Sequence, residues 1–253
     1  MRGRVRVATL PAKPRKSKLQ RKPRLLIVED EPAIRIGLVD VFVYHGYDVD
    51  FAVEGVQGLA KALAGTFDLI LLDVMLPGRN GFEICEAIRE TDREQAIIML
   101  TAKSADEDII QGLALGADDY VAKPFSVAQL VLRVQAVLRR SRVVVGHDRA
   151  IRLAGGAEID PRNLCAHMGS REVRFTRREI EVLQYLGEHA ERAVPREELL
   201  NKVWGYARHM EIETRTVDIH IAKLRRKLEA DPKQPQHLIT VRGGGYRLVT
   251  ESL

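Results

Sequence analysis

Five polar residues each follow closely on an apolar run. Glu29 and Asp30 follow Leu25-Leu26-Ile27-Val28, Asp73 follows Leu69-Ile70-Leu71-Leu72, Thr101 follows residues 96–100, and Lys123 closes a short run at Tyr120-Val121. Brought together, three carboxylates repel and raise one another's pKa unless a cation joins them. Oxygen donors of this kind suit Mg²⁺, which binds through a few carboxylates and keeps waters and phosphate oxygens. A lysine and a hydroxyl in the same place can stabilise charge on a phosphoryl group. No Gly-x4-Gly-Lys-Ser/Thr loop occurs, so the phosphoryl group is expected from another molecule, with Asp73 as its acceptor. Alone, Asp73 reads equally well as an aspartate capping a strand exit; the other four residues decide against that.

These side chains meet only if the runs before them lie side by side. The runs at 25–28, 67–73 and 96–100 are continuous and bounded by turn signals, as strands buried on both faces of a parallel sheet must be. Pro32 opens a helix bearing Ile34, Leu38 and Val41. Residues 47–52 alternate as a strand, and 54–64 read as a helix. Asn80 is the expected N-cap of a helix bearing Phe82, Ile84 and Ile88. Further helices are expected over 105–115 and 126–140, on either side of a short fifth strand at Tyr120-Val121. Strands alternating with helices predict an α/β doubly wound, five-stranded parallel sheet, which binds ligands at its carboxyl edge.

Four ordered blocks sharpen this reading: Leu-Leu-Ile-Val-Glu-Asp-Glu, Leu-Leu-Asp-Val-Met-Leu-Pro-Gly, Leu-Thr-Ala and Gly-Ala-Asp-Asp-Tyr-Val-Ala-Lys-Pro-Phe. Residues 24–140 thereby resemble the flavodoxin-like receiver domain of two-component response regulators. The resemblance implies that a sensor histidine kinase phosphorylates Asp73. It implies that Glu29, Asp30, Asp73 and the Met75 carbonyl organise Mg²⁺, and that Thr101 and Tyr120 form a switch pair. Lys123 would pair with the phosphoryl oxygens, and Lys123-Pro124 is a candidate cis bond.

After a linker at 141–150, residues 151–166 carry apolar positions between turn signals, as short antiparallel strands do. Thr176-Arg177-Arg178-Glu179 is a capping box, and Pro195 opens a further helix. Val217, Ile221, Leu224 and Leu228 form one apolar stripe of a third helix. Its other side presents Arg215, Thr216, Ile219, Ala222, Lys223 and Arg226, flanked by His220, Arg225 and Lys227. A hairpin with the tip Arg242-Gly243-Gly244-Gly245 follows. Three helices and a hairpin make a winged helix-turn-helix, and residues 151–253 resemble the OmpR/PhoB-type effector domain. The resemblance implies double-stranded DNA as partner. The face with Arg215, Thr216, Ile219, Ala222 and Lys223 would enter the major groove, His220 and Arg225 on its flanks would hold phosphates, and Arg242 would reach the minor groove or its phosphates. Arg208, His209 and Glu211 lie in the loop where relatives can touch RNA polymerase. The resemblance also implies a homodimer through residues 105–115, the fifth strand and the helix after it. Asp119 and Arg133 match one ion pair of that interface, whereas Ile109 and Gln129 stand where a second pair is usual.

Charge divides the chain in the same places. Residues 1–24 hold ten Lys/Arg and no acids (+10), residues 25–141 ten against nineteen (−9), and residues 142–253 twenty against sixteen (+4). An acidic domain joined to a basic one fits a metal or sensor site beside a nucleic-acid site. Residues 1–23 are expected to be a disordered basic tail. No apolar run approaches the roughly 18 residues of a membrane span, and no secretory h-region is visible, so the cytoplasm is the expected compartment. Cys85 and Cys165 match no metal spacing and are expected to be buried thiols. The reading is therefore a phosphorylation-dependent, dimerising DNA-binding regulator. The alternative is a constitutive DNA-binding protein whose receiver only dimerises. A Mg²⁺-dependent phosphatase using Asp73 lacks a visible second general acid.

Overall fold

The computed structural model describes residues 21–102, 115–141, 149–169, 171–206 and 215–251. The first unit contains β1 (Arg24–Val28), α1 (Pro32–Tyr44), β2 (Asp48–Ala52), α2 (Gly55–Ala64), β3 (Leu69–Asp73), α3 (Gly81–Thr91), β4 (Ile97–Ala102), β5 (Asp119–Lys123) and α4 (Val127–Ser141). Its sheet is parallel, in the order β2-β1-β3-β4-β5. All five residues of β3 are buried, as a run of Leu and Ile at the centre of a two-sided sheet requires. Two apolar clusters flank the sheet. One holds Leu26, Ile70, Leu72, Ile84 and Met99; the other holds Leu25, Ile27, Leu38, Phe42, Leu71 and Val134. Alternate residues of one strand thus serve opposite faces, as the pleat dictates.

The second unit begins with an antiparallel sheet of β6 (Ile151–Arg152), β7 (Glu158–Asp160), β8 (Cys165–Met168) and β9 (Arg171–Arg174). The sequence reading stops at residue 166 and does not include β9. Its Arg-Glu-Val-Arg sequence has one buried residue, Val173, too little alternation to announce a strand. Then come α5 (Arg177–Glu188), α6 (Arg196–Leu199), a π-helical turn at Leu200–Trp204, α7 (Arg215–Leu228), β10 (Leu238–Val241) and β11 (Gly245–Leu248). The stripe Val217, Ile221, Leu224 and Leu228 is at most 2% exposed and packs with Ile180, Leu183, Leu186 and Trp204. Gly245 has no substitute: φ is +104°, and a Cβ would lie 2.1 Å from the Val194 carbonyl oxygen. That approach lets Tyr246 bridge to Val194 and seat the hairpin against the helices. Lys123-Pro124 is cis, and both cysteines are buried thiols.

Candidate phosphoacceptor site and DNA-facing helix

Strand register assembles the first site. Val28 pairs with Leu72, Asp73 with Leu100, and Thr101 with Ala122, so Glu29, Asp73, Thr101 and Lys123 come together at the carboxyl edge. Lys123 Nζ bridges the acids, 2.8 Å from Asp73 Oδ2 and 3.0 and 2.9 Å from the two Glu29 oxygens. Burial works against the Lys123 ammonium, but hydrogen bonds to Asp73 and Glu29 outweigh it and raise its pKa. Burial also raises the Glu29 carboxyl; the Lys123 hydrogen bond opposes this, and the Asp73 charge adds to it. Asp30 is exposed at the rim, and Met75 points outward, 69% exposed. Thr101 and Tyr120 are buried, at 2% and 8% exposure.

Among the described residues, Glu29, Asp30 and Asp73 form the one group able to hold a metal ion, with carboxylate oxygens within 4.8 Å of one another. Glu29 Oε2 is buried and accepts no directed hydrogen bond. Three carboxylates in a partly open site, with one ammonium between two of them, keep a net negative charge that fits a hard divalent cation. Two glycines bring the supporting loops close. The Gly55 amide donates to the Pro77 carbonyl at 3.0 Å, and the Gly81 amide to the Val74 carbonyl at 3.0 Å. The Asn80–Glu83 capping box then fixes the start of α3 beside the Asp73 loop.

The residues expected to face DNA are placed unequally. Arg242 is exposed at the hairpin tip, and Ala222 and Arg226 are exposed on α7. Thr216 and His220 are 1% and 2% exposed. His220 lies edge-on to Trp204, and its Nδ1 is 2.9 Å from the Thr216 carbonyl oxygen, which fixes a neutral Nδ1–H tautomer. Burial pushes its pKa down to about 4. Ile219 is partly buried against the apolar cluster that contains Tyr120. Lys223 lies 2.9 Å from Glu179 Oε1. Arg225 donates to the Leu238 carbonyl at 2.8 Å and to Thr240 Oγ1 at 2.7 Å, tying β10 to α7. Arg215 is half-buried.

The capping box at Thr176–Glu179 was legible, but the further work of Glu179 was not. Its carboxylate is wholly buried, caps α5, and takes both Lys223 and Lys227. Despite burial, the two lysines hold its pKa down at about 2. Sequence reasoning also missed the buried Arg89–Asp118 pair at 3.1 Å; no local pattern announces a partner 29 residues away. Of the residues assigned to a dimer, Asp119 and Arg133 pair within this chain at 2.6 Å and Gln129 is exposed. Ile109, Arg208, His209 and Glu211 lie outside the described residues, as do residues 1–20 of the basic tail.

A carboxylate bridged to a lysine at the edge of a parallel sheet, joined to a winged helix, is the architecture of a phosphorylation-controlled DNA-binding regulator. Residues 25–135 match the response regulator receiver domain, and residues 170–248 match the C-terminal domain of transcriptional regulatory proteins. The chain belongs to the OmpR/PhoB family of two-component response regulators. It is a transcription factor whose DNA binding is activated by phosphorylation, and not an enzyme. Its receiver implies a kinase partner, and its second domain implies DNA. The alkaline phosphatase synthesis regulator PhoP of Bacillus subtilis is 39% identical over 232 residues, spanning 89% of this chain and 96% of its own. The response regulator ArlR of Staphylococcus aureus is 40% identical over 224 residues, spanning 88% and 98%. A solved structure of a RitR mutant, 29% identical, covers 90% of this chain and 99% of its own with a TM-score of 0.70.

Proposed function

We propose that Asp73 takes the phosphoryl group from a phosphohistidine of a sensor kinase. The carboxylate oxygen forms the new P–O bond as the P–N bond breaks, and the imidazole leaves with a proton. The observation that carries this is Lys123 Nζ within 3.0 Å of both Asp73 and Glu29: a cation already stands where phosphoryl oxygens would need one. Glu29, Asp30, Asp73 and the Met75 carbonyl would hold Mg²⁺, which when bound supplies positive charge to the carboxylates and the transferring group. Thr101 would donate its hydroxyl to the phosphoryl group, and Tyr120 would shift behind it.

In the effector domain, α7 would enter the major groove, with Arg215, Thr216, Ile219 and Lys223 on the face toward the bases and His220 and Arg225 toward phosphates. Arg242 would reach the minor groove. A phosphorylated homodimer in the cytoplasm would set two such domains on adjacent half-sites and gain affinity through effective concentration. The loop holding Arg208, His209 and Glu211 would be available to RNA polymerase. The test is intact mass after incubation with Mg²⁺ and acetyl phosphate. One phosphoryl group is expected on the wild type and none on Asp73→Ala; a variant that still gains the mass would move the acceptor elsewhere.

A further inference from the structure

The two loops that carry the carboxylates are fixed in different ways. The Asp73 loop runs into α3, whose first turn is closed by the Asn80–Glu83 capping box. The Glu29–Asp30 loop runs into α1, where Pro32 opens the helix and the N-cap, Glu31, makes no side-chain capping hydrogen bond. Lys123 pairs with Glu29 and Asp73, so Asp30, the third member of the group, takes its place from its own backbone. Arg35 holds that backbone. Its Nη1 donates to the Glu29 carbonyl at 2.9 Å and to the Asp30 carbonyl at 2.8 Å. Its guanidinium also lies over the Phe51 ring near the end of β2, 5.8 Å from the centroid. Phe51 is steadied from the other side, because Lys61 of α2 donates to its carbonyl at 2.7 Å and lies 5.8 Å from the same centroid.

Helix geometry gives Arg35 this reach. Side chains lean toward the N-terminus of their helix, so a residue on the first turn points back at the loop before it. A cation there opposes the helix dipole, and the first turn of α1 has no acid to offset it. Local preference therefore does not explain an arginine at this position, whereas its two bonds to the loop do. We propose that Arg35 is a positioning residue for the metal: by holding the carbonyls of Glu29 and Asp30 beside Phe51, it sets where the Asp30 carboxylate stands before a divalent cation arrives. The assignment rests on the reading of Glu29, Asp30 and Asp73 as the Mg²⁺ site. Two effects of the guanidinium oppose each other, since its charge repels a divalent cation while its hydrogen bonds order a ligand. Arg35 is half-buried and Asp30 is exposed, so solvent screens the charge. Partners that orient metal ligands change metal affinity by roughly ten- to a hundredfold. Ordering wins, and loss of Arg35 should weaken Mg²⁺ binding even though it removes a positive charge.

The test uses the full-length chain and the variants Arg35→Met, Arg35→Lys and Phe51→Leu. The first keeps the long stem but cannot donate, the second keeps a charge and a donor, and the third removes the ring beneath the guanidinium. Thermal melts across a MgCl₂ series, with no phosphoryl donor, give the Mg²⁺ dissociation constant by linkage and the metal-free melting temperature separately. Arg35→Met should raise the dissociation constant roughly tenfold. Arg35→Lys should recover most of the loss, and Phe51→Leu should move the same way as Arg35→Met, by less. With acetyl phosphate, the half-saturating Mg²⁺ concentration of Arg35→Met should rise by the same factor, while its limiting rate falls by roughly threefold or less. A purely structural role would lower the metal-free melting temperature and leave the dissociation constant alone, which would overturn the assignment. Tighter Mg²⁺ binding in Arg35→Met would overturn it too, by showing that charge outweighs ordering. A wild type that takes up no Mg²⁺ would bring down the metal reading and this assignment together, whereas a wild type that binds no better than Arg35→Met would bring down the assignment alone.

Discussion

Lys123 pairs with two carboxylates, one wholly buried and one nearly so, Glu29 at 0% and Asp73 at 2% exposure. Removing it strands both charges, and breaking a buried pair from one side is the costly direction. Lys123→Met should therefore lower stability by about 3 kcal/mol without divalent cation. Added Mg²⁺ should raise its melting temperature more than the wild type's, because a cation at the three carboxylates replaces the lost charge. Equal shifts in thermal melts would mean that the acids do not share one site. His220 makes the second prediction. Its pKa is about 4 in the fold and its ordinary value is 6.5. Below pH 6.5 the unfolded chain takes up a proton that the folded chain refuses, so this group lowers stability as pH falls from 6.5 toward 4, by about 3 kcal/mol at pH 4, and contributes no slope above. Burial acts first, and Lys223 and Arg178 add to it against Glu179. The Glu179 carboxyl, depressed to about 2, loses its own stabilising share as pH falls below 4.5, mostly beneath this window. His220→Asn keeps a donor near the Thr216 carbonyl but cannot ionise. Denaturant titrations between pH 4 and 7 should show a shallower fall for the variant than for the wild type.

At the scale of elements, the loop that carries Asp73 depends on how closely α3 approaches β3. A Cβ on Gly81 would lie 2.2 Å from the Asp73 carbonyl oxygen and 2.9 Å from Val74 Cα, backbone atoms that cannot turn aside. Gly81→Ala must push α3 away or shift the Asp73 backbone. Since phosphoryl transfer is largely positioning, the rate of phosphorylation by acetyl phosphate should fall by roughly a hundredfold, more than a mild loss of melting temperature would explain. A normal rate would show that the loop relaxes freely. The same elements show what a sequence reveals. β1, β3 and β4 were legible because strands buried on both faces must be apolar throughout. The two capping boxes were legible because their partners are three residues apart. The α7 stripe was legible because one apolar face repeats with the helical period. In contrast, β9 carries a single buried side chain, and the π-helical turn at Leu200–Trp204 breaks a helical pattern without changing its composition. Nothing near Trp204 or Tyr206 in sequence names their partners 86 and 87 residues away. For the same reason the outward positions of α7 were legible, but the packing of Ile219 against the receiver cluster was not.

For the molecule as a whole, the face that closes on the effector domain overlaps the face through which OmpR/PhoB-type receivers are expected to pair. Asp119 cannot reach a second copy while Arg133 and Tyr206 of its own chain hold it. The unphosphorylated full-length protein should therefore be monomeric at concentrations where the form bound to Mg²⁺ and beryllium fluoride dimerises. The character of that dimer follows from two uncharged positions. By resemblance to the family, Ile109 and Gln129 would stand where an ion pair is usual, so no charge would be left stranded and apolar burial would carry more of the association. Exposed pairs contribute up to about 1 kcal/mol each and are screened by salt. With one pair fewer, the dimer constant should change by roughly tenfold or less between low and high salt. Ile109→Lys should weaken the dimer by setting an unmatched cation on each face, and adding Gln129→Glu should restore it. Sedimentation velocity of the beryllium fluoride form across salt concentrations reads all of these. A steep loss of dimer with salt, or a double variant no better than Ile109→Lys alone, would mean that the activated chain pairs through a different surface.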